Sequence, residues 1–175
     1  MLKRILLAVL LLLLAFAGYV ATRPSTFRIT RTILVPAPPS EVFPRLSDFR
    51  RWEAWSPWAK LDPAMKVDYP GTQGQAGGGY HWVGNDKVGE GRMTLTSVEP
   101  DRALAIRLEF IKPWAQVNAT TFELSPEGGG TRVTWTMTGD LDFVGKLFAV
   151  FMNMDKVIGT DFEKGLAKLR DTQPR

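Results

Sequence analysis

Residues 103–138 read ALAIRLEFIKPWAQVNATTFELSPEGGGTRVTWTMT. Three runs inside this stretch alternate apolar and polar side chains: Ala103 to Ile111, Ala115 to Leu124 and Thr131 to Thr138. Successive side chains leave a β-strand on opposite sides, so an alternation of period two marks a strand with one buried face. Glu127-Gly128-Gly129-Gly130 lies between the last two runs and supplies the glycine that hairpin turns with positive φ require. The three runs therefore predict consecutive strands of an antiparallel sheet.

Working outward, Lys66 to Tyr69, Gly79 to Val83 and Gly91 to Val98 extend the same texture toward the N-terminus, with turns at Gly84-Asn85-Asp86 and Glu99-Pro100-Asp101. Further upstream Phe27, Ile29, Ile33 and Val35 alternate with Arg28, Thr30, Thr32 and Leu34, which is one more half-buried strand. Pro36-Ala37-Pro38-Pro39 stops it. Ser40-Glu41 then opens a helical stretch through Val42, Phe43 and Leu46, and Asp48 is placed to cap a second short helix that runs to Trp55 and ends at Pro57. Downstream, Asp142 begins a long helix in which Leu147, Phe151, Met154, Ile158, Phe162, Leu166 and Leu169 draw one apolar stripe. Its first part, Phe143 to Met152, is apolar nearly all round and needs cover on more than one face. The order describes an α+β protein: a curved antiparallel sheet of about seven strands wrapped around a C-terminal helix, with two short helices after the first strand.

The chain opens differently. After Lys3 and Arg4, Ile5 to Ala21 carries no charge and almost no polarity. A segment of this length just spans the roughly 30 Å of a bilayer core at about 1.5 Å per residue. A cleaved secretory signal is the competing reading, because Lys3-Arg4 is a basic start and Ala15-Phe16-Ala17 has the spacing of a cleavage site. The small residues lie inside the apolar run and not beyond it, which favours an anchor. Either reading exports the rest. With Lys3 and Arg4 retained in the cytoplasm, the expectation is a single-pass protein of the bacterial inner membrane with its domain on the periplasmic side, or a periplasmic protein if the leader is cleaved; Arg23, Arg28 and Arg31 on the far flank weaken that charge asymmetry. The expected organisation is an anchor over 1–22, a linker over 23–26 and one domain over 27–172.

The composition excludes several kinds of chemistry. From Arg23 to Arg175 the chain is about one ordinary domain, large enough for its own core. It has no cysteine, hence no disulfide frame, thiolate nucleophile or cysteine-ligated metal. The net charge of +4 becomes +2 once Lys3 and Arg4 are subtracted, with both signs interleaved, so nothing points to nucleic acid. His81 is the single histidine. It alternates with Tyr80 and Trp82 and is expected on the solvent face, which speaks against acid–base catalysis by it. Gly71 to Gly79 is glycine-rich, but no Lys-Ser/Thr follows and it leads into a strand, so it is read as a hairpin or bulge at a cavity entrance and not as a phosphate loop. Asn118-Ala119-Thr120 fits a glycosylation sequon and is discounted because it sits mid-strand.

Three strings carry a family resemblance: Ile33 to Phe43 (ILVPAPPSEVF), Trp52 to Trp58 (WEAWSPW) and Gly129 to Trp135 (GGTRVTW). The first resembles an "apolar strand, A-P-x-x-V-F" entry and the last a "G-G-T-x-V-x-W" strand of the START-like (SRPBCC) superfamily of polyketide cyclases, dehydrases and lipid-transfer proteins, with its helix-grip or Bet v 1-like fold. Met154-Asp155-Lys156 and Asp161 to Leu166 look like a membrane-anchored bacterial branch of it. The resemblance covers about Phe27 to Leu169 and speaks for fold, not activity, since the scaffold hosts carriers, cyclases, hydratases and stress sensors.

What the resemblance implies is a deep cavity between the sheet and the C-terminal helix. Bulky residues are available to line it: Trp52, Trp55, Tyr80, Trp82, Phe110, Trp114, Trp135, Met137, Phe148 and Met152. Pockets for sterols, acyl chains or polycycles are mainly apolar with few polar anchors, although the same aromatics would also serve as core filling. Trp52, Trp55 and Trp58 would gate the cavity mouth, rest among lipid headgroups or cap one end of the core. Arg107 with Glu109 would form a charged pair, on the surface or inside the cavity. No catalytic, cofactor-binding or metal-ligating residue is expected. The function so read is a membrane-tethered, non-catalytic binding module whose partners are a hydrophobic small molecule or lipid and the membrane itself. The alternatives are a cyclase- or dehydrase-like enzyme using the same cavity and a structural protein whose cavity is closed by tryptophans; an enzyme would carry an inward polar group with a shifted pKa.

Overall fold

The computed structural model describes residues 1–172, and the three residues that follow, counted above in the domain-sized stretch, lie outside the described residues. Helix α1 (Leu2–Ala21) precedes strand β1 (Thr26–Val35), helix α2 (Pro39–Ser47) and a 3-10 turn (Phe49–Ala54). Six strands follow: β2 (Lys66–Asp68), β3 (Gly79–Val83), β4 (Glu90–Glu99), β5 (Ala103–Lys112), β6 (Gln116–Glu127) and β7 (Gly130–Asp140). Helices α3 (Phe143–Phe151) and α4 (Met154–Asp171) close the chain. All seven strands form one antiparallel sheet, as the alternating runs predict, and its order is β1-β7-β6-β5-β4-β3-β2, with β1 paired to β7.

Two of the family-bearing strings meet at one junction. Gly130 opens β7 directly against the end of β1, where a Cβ would come within 2.4 Å of the Val35 carbonyl oxygen. The next residue, Thr131, is fully buried and donates its hydroxyl to the Ala37 carbonyl at 2.7 Å. The Pro36–Pro39 turn is thereby tied to the first residues of β7, and α2 starts with Pro39 in a position that needs no amide donor.

α4 crosses the inner face of the sheet. Its Phe162 stacks on Trp135 of β7 with centroids 3.8 Å apart and rings 3° from parallel, and Phe122 of β6 stacks on Trp135 from another side at 4.9 Å. Phe162, Leu166 and Leu169 are buried, with Ile158 and Met154 partly buried against the same core.

The single helix expected from Asp142 is in fact two. Asp142 caps α3 by accepting from the Gly145 amide at 2.7 Å, and Asn153 caps α4 by accepting from the Lys156 amide at 2.9 Å. Asparagine favours a cap over a helix interior because its short amide competes for backbone donors, so the break falls there. The consequence is that α3 does not lie on the sheet. It packs beside α1, with Phe151 and Phe16 rings 6.1 Å apart and Lys146 Nζ donating to the Ala21 carbonyl at 3.3 Å. None of its nine residues is buried.

Candidate functional site

An apolar cleft of about 520 Å³ lies between the inner face of the sheet and the first turns of α4. Phe27, Leu108, Phe110, Trp135 and Met137 come from the strands and Met154, Val157 and Ile158 from α4. Every strand residue among these sits on the inward side of its strand's alternation, so the wall follows from the period-two pattern. A smaller hollow of about 230 Å³ adjoins it, lined by Tyr80, Trp82 and Val88 among others. Trp52, Trp58, Met93 and Phe110 belong to both linings, so these four side chains form the partition. A third hollow of about 680 Å³ on the outer face of the sheet is a shallow depression over the small side chains of Ala105, Ala119 and Thr121, and lacks the apolar walls of the cleft.

The rim of the cleft lies where β1 begins, β7 ends and α4 starts, which is also where α1 enters and α3 leaves the sheet. Val157 there is 51% exposed, whereas Trp135 and Thr120, which also line the cleft, are 1% and 3% exposed. Three inward residues of β6 in succession are polar: Gln116, Asn118 and Thr120. Gln116 Nε2 donates to the Asp140 carbonyl at 2.9 Å and to Asn118 Oδ1 at 3.1 Å. Among the described residues Asn118 Nδ2 finds only the Met137 thioether, at 3.8 Å. Thr120 Oγ1 and Trp135 Nε1 are buried and have no hydrogen-bond partner among the described residues.

Of the aromatic candidates, Trp52, Tyr80, Trp82, Phe110, Trp135 and Met137 all line the cleft or the adjoining hollow. Four do not. Trp55 is fully buried and donates its indole N–H to the Arg45 carbonyl at 3.1 Å, so it belongs to the core beneath α2. Trp114 stands 76% exposed between β5 and β6. Phe148 is 54% exposed on α3 and Met152 is exposed just after it, because the helix break carries both away from the sheet. Of the three readings of the tryptophan loop, Trp52 and Trp55 fit core capping, since Trp52 also binds a carbonyl of α2, that of Leu46, at 2.9 Å. Trp58 instead stands edge-on to Trp135 and forms part of the cleft wall.

Residues 71–79 line neither hollow. They are tied down by Gln73, whose Oε1 accepts from the Phe49 amide at 3.1 Å and whose Nε2 donates to the Gly79 carbonyl at 2.8 Å. Phe27, Met93 and Leu108 line the cleft as well, outside the ten candidates named from the sequence, and so do the polar positions of β6. Extending the inward alternation from Phe122 back to Thr120, Asn118 and Gln116 would have found the latter.

Charge stays largely outside. Glu109 is gripped by Arg92 at 2.6 Å and Arg107 at 3.3 Å, which together hold its carboxyl down at about 2. That cluster is on the outer face, so it anchors nothing within the cleft. His81 faces Glu90 there at 3.7 Å, and Lys112, 2.7 Å away, holds the Glu90 carboxyl below its ordinary range. Among the described residues lining the larger cleft, Asp161 is the one charged group, and it pairs with Lys164 at 3.0 Å. In the smaller hollow, burial pushes the Tyr80 hydroxyl up to about 12, so it stays protonated at neutral pH.

The fold recurs in solved proteins. CV1439 from Chromobacterium violaceum is 17% identical with a TM-score of 0.59, covering 87% of this chain and 100% of its own. The Aha1 dimer from Colwellia psychrerythraea is 16% identical with a TM-score of 0.60, covering 83% of this chain and 94% of its own. TTHA0849 from Thermus thermophilus is 22% identical with a TM-score of 0.57, covering 83% and 95%. At these identities the likeness is one of fold. Among curated proteins no significant match is found. Residues 26–173 match the family described as polyketide cyclase / dehydrase and lipid transport, and the strings at β1, the tryptophan loop and β7 all fall within the match. With most of its length matched, this chain belongs to the polyketide cyclase/dehydrase and lipid transport family.

Proposed function

We propose that the protein is a membrane-tethered module that holds a hydrophobic small molecule or lipid without transforming it. One observation carries the reading: the apolar cleft has its rim at the end of the sheet where α1 and α3 lie side by side. In this reading residues 1–22 are the anchor, 23–26 the linker and 27–172 the binding domain. α1 has 20 residues, reaches a mean hydropathy of 2.4 over an 18-residue window, and is long and apolar enough to cross a membrane. α3, apolar and unburied, lies in the same lipid beside it, which accounts for Phe143, Val144, Phe148 and Phe151 having no cover from the sheet. Lys3 and Arg4 keep the N-terminus cytoplasmic and the binding domain extracytoplasmic. A ligand that partitions into the bilayer then meets the cleft at high local concentration.

The non-catalytic part rests on the lining. Tyr80, Lys87 and Asp161 are its titratable groups among the described residues, and the Tyr80 hydroxyl is moved away from neutrality and not toward it. Native mass spectrometry of the full chain released from membranes and offered a lipid extract tests the proposal. A reproducible neutral adduct of lipid mass, returned unchanged, is the expected result. A bare protein that takes up nothing would overturn it, and an adduct returned altered in mass would favour the cyclase- or dehydrase-like reading instead.

A further inference from the structure

The end of the sheet that carries the rim also carries an exposed apolar tip. Thr26, the first residue of β1, lies opposite Asp140, the last of β7, and Gln116, the first of β6, lies opposite Phe110 near the end of β5. The turn between β5 and β6 therefore leaves the sheet at this same end. Trp114 stands in that turn and is the most exposed of the six tryptophans. Ile111 and Val117 beside it are exposed as well, on the outward side of their strands. The tip is also close to the end of α1. Gln116 Nε2 donates to the Asp140 carbonyl at 2.9 Å, and one residue further on the Leu141 amide donates to the Ser25 carbonyl at 2.7 Å, where the chain passes from α1 into β1. A hollow of about 520 Å³ is lined by Ile111, Ala115 and Val117 of the hairpin together with Asp142, the cap of α3. From Ala21 at the end of α1 to Thr26 at the start of β1 the chain reaches at most about 17 Å. Arg23 lies over the Tyr19 ring there at 5.6 Å, an aromatic and basic pair of the kind that settles at the headgroup level of a bilayer.

We infer that the β5–β6 turn is a membrane-docking site, and that Trp114, with Ile111 beside it, enters the headgroup layer of the bilayer that α1 crosses. An indole has an apolar body and one N–H, which suits it to that layer better than to water. The occupant is a lipid surface because the short linker holds this end of the sheet within reach of the bilayer. Charge does not drive the contact: Lys112 is paired with Glu90 at 2.7 Å, and Asp140 and Asp142 line the hollow beside the tip. Zwitterionic headgroups therefore suffice. Together with α3, this second contact stops the domain from swinging on its linker and keeps the rim turned to the lipid. The inference rests on the tether proposed above and adds the residue that fixes the domain against the bilayer.

The test uses the full chain reconstituted in phosphatidylcholine vesicles, with and without bromine on the acyl chains near the headgroup. Bromine quenches an indole only at close range, and the wild-type emission minus that of Trp114→Phe isolates Trp114. The expected result is that brominated lipid lowers this difference at least twofold, and equally at low and high salt. The other five tryptophans, which Trp114→Phe retains, are quenched much less. A difference unchanged by bromine, in a chain that alkaline carbonate does not extract from the vesicles, would overturn the inference and leave the tether standing. Quenching that disappears at high salt would overturn apolar insertion as its cause. A chain that carbonate does extract would overturn the tether, and this inference with it.

Discussion

Arg31 lies across Gly159: its guanidinium occupies the place where an alanine Cβ would come within 2.0 Å of Nη2, and it reaches Asp155 at 3.0 Å on one side and Glu163 at 2.6 Å on the other. Arg31 sits on the inward side of β1, between Ile29 and Ile33, where the alternation calls for an apolar residue. Asp155, Gly159 and Glu163 recur every four residues on α4 and so lie along one face. The missing side chain in the middle makes room for the arginine, and the two carboxylates complete its hydrogen bonds. Asp155 is held below its ordinary range by this arginine.

The arrangement predicts a change of sign. In the wild type, Gly159→Ala displaces the guanidinium and lowers the urea midpoint. In an Arg31→Ala background the same substitution meets no obstacle and stabilises α4 by about 0.5–1 kcal/mol through helix propensity. The same sign in both backgrounds would refute the contact as the reason for glycine.

Thr131→Val removes the hydroxyl that the Ala37 carbonyl accepts from in a fully buried setting. The carbonyl is left unpaired, and a loss of about 1–3 kcal/mol in denaturant unfolding is expected. A loss of only a few tenths would mean that the junction between the Pro36–Pro39 turn and β7 is held by packing alone.

Trp58 is part of the partition between the 520 Å³ cleft and the 230 Å³ hollow. Trp58→Ala should join them at a cost of about 2–3 kcal/mol, discounted from the value for a fully buried ring because Trp58 is half-buried. Occupancy across a series of methyl esters would then peak at a longer chain than in the wild type. An unmoved optimum would show that ligands do not reach the partition.

The chain lacks cysteine, so Val144→Cys gives a unique site for a spin label on α3. In a reconstituted bilayer the label should show the oxygen accessibility of lipid, and a label at Ser97→Cys on β4 that of water. Phe148→Asp should drive the Val144 label toward the aqueous value with the thermal midpoint of the domain nearly unchanged, because Phe148 makes no part of the core. An aqueous signal at Val144 in the unmodified helix would remove α3 from the membrane.

Glu109 has a folded-state pKa of about 2 against an ordinary 4.5, so its contribution to stability is complete above about 4.5 and disappears as the pH falls toward 2. Over that interval the unfolded chain binds the extra proton, and stability therefore rises with pH. Thermal midpoints from pH 6 to pH 2 should fall less steeply for Glu109→Gln than for the wild type. Parallel curves would mean that the grip of Arg92 and Arg107 is lost to solvent.

Particular elements show how far the order of residues carries. The alternation of β5, β6 and β7 placed Leu108, Phe110, Trp135 and Met137 on one face because a strand offers only two, and all four line the cleft. On helices and loops the same aromatic content was ambiguous. Trp55 and Trp58 are three residues apart, yet one is core and the other wall, since the path of the chain around Pro57 and not the spacing turns them. Polar Gln116, Asn118 and Thr120 share the inward register of Phe122 and line the cleft against the polarity of their side chains.

What the sequence by itself determined is the seven-strand antiparallel sheet, its turns, the apolar leader and the family, all of which rest on local periodicity or contiguous strings. Only the tertiary structure decided that α3 leaves the sheet for α1, that Arg31 crosses Gly159, and that Trp58 divides the cleft from the adjoining hollow. Those relations join residues far apart in the chain, and their energies come from burial and pairing that exist only once the elements have packed.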